Sequence, residues 1–102
     1  MQVIASDNYE RLGAEFQYQW ILLLKATLAK HGVPPEQSKE ICGDFTFDLS
    51  MLLDQGEIDY EGSNFRPVVA FASGPDPLLV QSGDFEYHDY AFGSTDEAFA
   101  SE

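Results

Sequence analysis

Residues 83 to 93 read GDFEYHDYAFG and gather the side chains of this chain best able to do chemistry. On an extended strand, side chains two apart share a face, which places Asp84, Glu86, His88 and Tyr90 in one row and Phe85, Tyr87, Asp89 and Ala91 in the other. Two carboxylates and an imidazole in a row are donors that a divalent metal accepts. Neighbours in such a row stand roughly 6 to 7 Å apart at Cα. An ion shared by two of them therefore needs ligands from another element, for which Asp44, Asp48 or Asp76 are the obvious donors. The bland alternative is a solvated face whose charges discourage edge-to-edge pairing. A third reading is a face for Arg-rich partners, in which the acids beside Tyr90 supply charge-assisted hydrogen bonds and cation–π contact. Asp89 breaks the inward row, so a bulge or the strand's end is expected near it.

A second candidate surface lies in the stretch VPPEQSKEICGDFTFDLSMLLDQG. Glu40, Asp44 and Asp48 are four apart, an acidic ladder on one helix face, where like charges oppose helix formation by about 0.2 to 0.5 kcal/mol per pair. Such a ladder is either a solvated face or a docking strip for a basic partner. Phe47 and Met51 share another flank, away from the main apolar stripe, and would pack on the sheet, on a sister subunit or on a transient partner.

Catalytic motifs are missing. The chain has no Gly-x-Gly-x-x-Gly, Walker loop, Gly-x-Ser-x-Gly or His-Glu-x-x-His, and its one cysteine, Cys42, can neither pair for zinc nor form an internal disulfide. Cys42 flanks an apolar stripe and reads as a buried, inert thiol. His31 ends a helical stretch, a position that suits a basic residue beside the helix dipole. The expectation is a protein without catalytic activity, cofactor or metal.

Charge narrows the partners. Eighteen acidic and five basic residues give a formal net charge of −13. The excess is uneven, −4 over residues 1 to 56 (eight acids, four bases) and −9 over residues 57 to 102 (ten acids, Arg66 alone). Nucleic acid and anionic membrane surfaces repel such a chain, whereas basic proteins are drawn to it. The opening MQVIASDNYE has neither the basic nor the apolar region of a secretion signal. The longest strongly apolar run, residues 20 to 24, is too short to span a bilayer. A cytoplasmic location is the expectation.

At 102 residues, with 44% hydrophobic and 14% aromatic content, the chain is expected to form a single α+β domain over 1–102. Residues 6–31 read as a first helix, started by Ser6 or Asp7 with Glu10 and stopped by Gly32. Its core stripe is Tyr9, Leu12, Phe16, Trp20, Leu23 and Thr27, with Ala14, Tyr18, Ile21, Leu22 and Ala29 opposite. Residues 34–55 read as a second helix with Ile41, Phe45, Leu49 and Leu52 inward, widened by Cys42 and Leu53. Gly43 within it weakens the helix or marks a close contact. The short link predicts an antiparallel αα-hairpin. Residues 65–92 read as an antiparallel meander of three to four strands, and 95–102 as a short helix or frayed tail.

The functional expectation is a small acidic interaction module for a basic protein partner, with an inhibitor or immunity-type protein against a nucleic-acid-binding protein as a special case. Asp84, Glu86, His88, Tyr90, Asp44, Asp48, Phe47 and Met51 are the partner-binding candidates. The rival is a structural homodimer that uses Tyr18, Ile21 and Leu22, or Phe47 and Met51. A metal-dependent protein using Asp84, Glu86 and His88 is the third.

Overall fold

The computed structural model describes residues 2–75 and 77–100. The architecture is α+β, with two long helices, a small sheet and a short C-terminal helix. Strand β1 (Val3–Ser6) precedes helix α1 (Tyr9–Lys30), and helix α2 (Pro35–Gln55) follows. Then come β2 (Ile58–Tyr60), β3 (Ser63–Phe65), β4 (Phe71–Ala72) and β5 (Leu78–Gln81). A 3-10 turn, Tyr87–Tyr90, leads into helix α3 (Ala91–Phe99).

The helical hairpin ends as its punctuation dictates. Gly32 takes φ +80°, and the Val33 N–H returns to the Leu28 carbonyl at 3.0 Å while Gly32 N–H reaches Ala29, the paired bonds of a Schellman stop. Pro35 opens α2 where its missing N–H costs nothing. The N-terminus differs from expectation. Ser6 closes β1 instead of capping α1, and no side chain caps that helix.

The expected meander is replaced by a different sheet. β1 pairs in parallel with β5, Val3 facing Leu78 and Ser6 facing Gln81, and β4 pairs antiparallel on the other side of β5, giving the order β1-β5-β4. β2 and β3 form a separate hairpin, closed by Glu61 (φ +49°) and Gly62 (φ +80°), the two positive values that a tight two-residue turn requires. Residues 87–99, expected as a strand and a shorter helix, are instead the 3-10 turn and α3. Their buried positions explain why: Tyr87, Ala91, Ser94, Thr95, Ala98 and Phe99 recur at three- and four-residue steps, a helical spacing.

Helix α3 lies on one side of the α1–α2 hairpin, and the core between the three helices contains many small and polar groups. Ile21, Cys42, Ala98 and Phe99 form its apolar part. Gln17, at 0% exposure, forms its centre: its Nε2 donates to Ser50 Oγ (3.0 Å) and to the Tyr87 carbonyl (2.8 Å), and its Oε1 accepts from Ser94 Oγ (2.7 Å). Trp20 Nε1 donates to Thr46 Oγ1 at 3.1 Å. Gly13 and Gly43 permit close approach. A Cβ on Gly13 would stand 2.8 Å from the Phe85 ring, and one on Gly43 3.2 Å from Phe92. Burial pushes the Cys42 thiol pKa up, which keeps it protonated and unreactive. At the end of α3, Lys25 Nζ donates to the Ala98 carbonyl and stands 4.6 Å from the centre of the Phe99 ring.

This core corrects the expected inward faces. Tyr9 and Cys42 are buried, but Phe16, Leu23, Phe45 and Leu52, all assigned to core stripes, remain 39%, 70%, 49% and 42% exposed. Ile21, assigned to the opposite side of α1, is fully buried. The reason is steric: α3 packs against the small and polar positions, because only there can a third helix approach closely.

Candidate functional site

A cleft of about 390 Å³ opens where the C-terminal end of α2 meets residues 66 to 69 and the loop 83 to 87. Its aromatic floor is Tyr9, Phe85 and Tyr87, a buried cluster with Phe85 and Tyr87 edge to face at 4.8 Å between ring centres. Tyr9 donates its hydroxyl proton to the Val69 carbonyl at 2.7 Å, so Tyr87, 3.1 Å away, donates to Tyr9. Burial pushes both phenol pKa values above their ordinary range, so neither hydroxyl ionises near neutrality.

Carboxylates line the same cleft: Asp54 from α2, with Asp84 and Glu86 from the loop. Asp54 is fixed by the chain that follows. Its Oδ1 accepts the Tyr87 N–H at 2.8 Å, and its Oδ2 accepts the His88 N–H at 2.8 Å. Both donors are free because a helical turn leaves its first N–H groups without internal partners. Asp54 thus caps the Tyr87–Tyr90 turn from another element. The His88 ring closes the arrangement, its Nδ1 lying 2.7 Å from Asp54 Oδ2 and 3.3 Å from Glu86 Oε2, with Nε2 3.4 Å from Asp89.

The hydrogen bond to Asp54 raises the His88 pKa; partial burial works against it, and the charges of Asp89, Asp54 and Glu86 add to the rise. A folded value above the unfolded one of about 6.5 means that this contribution to stability is complete below that pH and is lost as pH climbs through the raised value. The melting-temperature advantage of the native chain over His88→Gln is therefore expected to shrink as pH increases from about 6 towards 9. An advantage that stays constant across that range contradicts the assignment.

Asp54, Glu86 and His88 each present a ligand atom within 4.8 Å of the others, the spacing of a metal site. Their chemistry fits an ion pair better. Both Asp54 oxygens already accept hydrogen bonds, and the pKa shift favours a proton on the imidazole, which a metal would have to displace. Asp84 is not in that group. Of the other donors named from sequence, Asp44 and Asp48 are exposed on α2, and Asp76 lies outside the described residues.

The remaining partner-binding candidates are scattered. With no strand at 83–93, Asp84, Glu86, His88 and Tyr90 do not form a row. Asp84 is exposed, Glu86 and His88 are half-buried, and the Tyr90 hydroxyl donates to Glu10 of α1. Phe47 stacks on Phe92 at 5.6 Å and meets the His88 ring edge to face at 6.0 Å, and Met51 is half-buried. Sequence reasoning missed Asp54. A carboxylate in the last turn of a helix opposes the helix dipole, and that misfit was the available signal.

No protein-family model matches the chain, and no curated protein or solved structure is significantly similar to it. Among the described residues, no helix is long and apolar enough to cross a membrane.

Proposed function

We propose that this protein is a small acidic interaction module, without catalytic activity, that receives a basic side chain of a protein partner in the cleft between α2 and the loop 83 to 87. The observation that carries the reading is the pairing of Asp84 and Glu86 with an aromatic floor in one cleft. Carboxylates grip a guanidinium through charge-assisted hydrogen bonds, and the buried rings close the cleft beneath them. Asp54 is held by the Tyr87–Tyr90 turn, Glu86 Oε2 lies 3.3 Å from the His88 ring and Arg66 lines the opposite wall with its guanidinium on the Asp54 carbonyl, so the exposed Asp84 leads the contact and the second oxygen of Glu86 supports it. The excess of 13 negative charges steers a basic protein in, which suits an inhibitor or immunity-type protein that occludes a nucleic-acid-binding surface.

A hexa-arginine peptide serves as probe in calorimetric titration. Binding is expected to weaken about tenfold or more between roughly 0.05 and 0.5 M salt. The pair Asp84→Asn with Glu86→Gln is expected to weaken it by a further order of magnitude, as loss of one or two charge-assisted bonds implies. Asp44→Asn with Asp48→Asn removes the same charge from the exposed ladder of α2 and tests the rival surface. Equal losses in the two pairs would mean that net charge alone is at work, and the cleft assignment would fail.

A further inference from the structure

We infer that a second copy of this chain covers the face of the α1–α2 hairpin turned away from α3, so that two hairpins form a four-helix bundle. On α1 the contact with α3 runs through Lys25, whose Nζ reaches the Ala98 carbonyl. On α2 it runs through Gly43 and Phe47, both against Phe92. At about 100° per residue, Leu23 stands roughly 200° from Lys25, and Phe45 roughly 200° from both Gly43 and Phe47. These side chains therefore point to the opposite side of the hairpin.

The bonds Gln17 to Ser50 and Trp20 to Thr46 fix the antiparallel register, which sets Leu23 level with Phe45 and Phe16 level with Leu52. All four are exposed. The positions that accompany them, Trp20 and Thr27 on α1 with Ile41 and Leu49 on α2, are also uncharged, and the charges at the margin of the face are one of each sign, Lys30 seven residues from Leu23 and Asp48 three from Phe45. On a chain of net charge −13 this face is where two copies meet with few carboxylates set against each other, and Asp48 at its margin is the only acid near it for a basic partner.

The surface area agrees. The chain exposes 6852 Å². A monomer of 11.4 kDa is expected to expose about 5,800 Å², so roughly 1,000 Å² is in surplus. The radius of gyration is 15.4 Å, against about 13 Å for a compact chain of this length. This helical face contributes four of the exposed large apolar side chains; the others lie on the β2–β3 hairpin (Ile58, Tyr60 and Phe65), on β1 (Val3 and Ile4) and at Val68 and Phe92. A standard interface takes about 800 Å² from each partner, within that surplus. A two-fold axis through the face makes it self-complementary, and antiparallel helix pairs stacked in that way form a four-helix bundle.

This interface differs from the one expected from sequence. Ile21 is buried inside the protomer, Tyr18 lines a groove beside α3, and Phe47 is stacked on Phe92. Light scattering on the size-separated full chain at high micromolar concentration is expected to give twice 11.4 kDa. Raising the salt is expected to tighten the dimer, because screening removes like-charge repulsion; the salt effect on arginine-peptide binding has the opposite sign. Leu23→Asp with Phe45→Asp is expected to give monomers that keep their helical circular dichroism. The milder pair Leu23→Ser with Phe45→Ser reads the same contact if the charged pair fails to fold. Val68→Asp, at a site 74% exposed and off the helices, leaves the dimer intact. A native mass of 11.4 kDa, a larger aggregate, or a dimer that survives the folded double variant would overturn the inference.

Discussion

Gln17→Leu is expected to lower the free energy of unfolding by about 2 to 4 kcal/mol, as measured by urea denaturation. Leucine is close enough in size that the loss comes mainly from orphaned partners rather than from a cavity. Ser50 Oγ loses a donor, Ser94 Oγ loses its acceptor, and the Tyr87 carbonyl loses the amide that reaches it at 2.8 Å. Each unsatisfied buried group costs about 1 to 3 kcal/mol. The two hydroxyls recover part of that by turning to carbonyls of their own helices. Adding Ser50→Ala and Ser94→Ala to Gln17→Leu is therefore expected to restore some stability, a sign of coupling within one network. A domain of this kind is stable by only about 5 to 15 kcal/mol, so the effect is a large share of the whole. A loss below about 1 kcal/mol would mean that Gln17 does not organise the three helices.

Asp54→Ala is expected to cost a similar amount, about 2 to 4 kcal/mol, for a different reason. Three donors lose their acceptor at once: the Tyr87 and His88 N–H groups and the His88 ring. The two amides lie at the start of the Tyr87–Tyr90 turn that leads into α3, so this end of α3 is expected to fray first, visible in amide hydrogen exchange. The histidine gives an independent readout. Without the Asp54 carboxylate its pKa is expected to fall towards about 6.5, followed by NMR titration of the ring protons. An unchanged His88 titration in the variant would show that the histidine is set by Glu86 and Asp89 instead.

The two long helices were legible in the sequence because their stops are local. Gly32 with a positive φ and proline at the first position of α2 need no tertiary context. The inward face was not legible. Hydrophobic periodicity selects the most apolar stripe, whereas the loop at Phe85, the turn and α3 cover the stripe of Gly13, Gln17, Cys42, Gly43, Thr46 and Ser50, where size and hydrogen bonding matter more than hydropathy. The apolar stripe was a real feature of the chain, and under the dimer inference it is buried between copies instead of within one.

The stretch 83 to 93 misled for a related reason. Its alternation suits a strand, but Tyr87 and Ala91 are also four apart, and the decision for a turn is made by Asp54, distant in sequence. Sequence could place Glu86 and His88 near each other; it could not supply Asp54, nor show that Tyr90 would be turned to Glu10. The parallel pairing of β1 with β5 was equally hidden, because it joins residues 3–6 to residues 78–81 across both long helices.

Under the two proposals charge would act on the two surfaces in opposite ways. The cleft, with Asp54, Asp84 and Glu86 against Arg66, would take a basic partner best at low salt, and the apolar face of the hairpin would take a second copy best at high salt. The most direct test of the cleft is a titration of the isotopically labelled protein with the hexa-arginine peptide, followed by amide chemical shifts at low salt. The account predicts the largest changes at Asp84, Phe85, Glu86 and Tyr87, with the Glu40, Asp44 and Asp48 ladder little affected. Changes centred on that ladder, or spread evenly over the acidic surface, would contradict it.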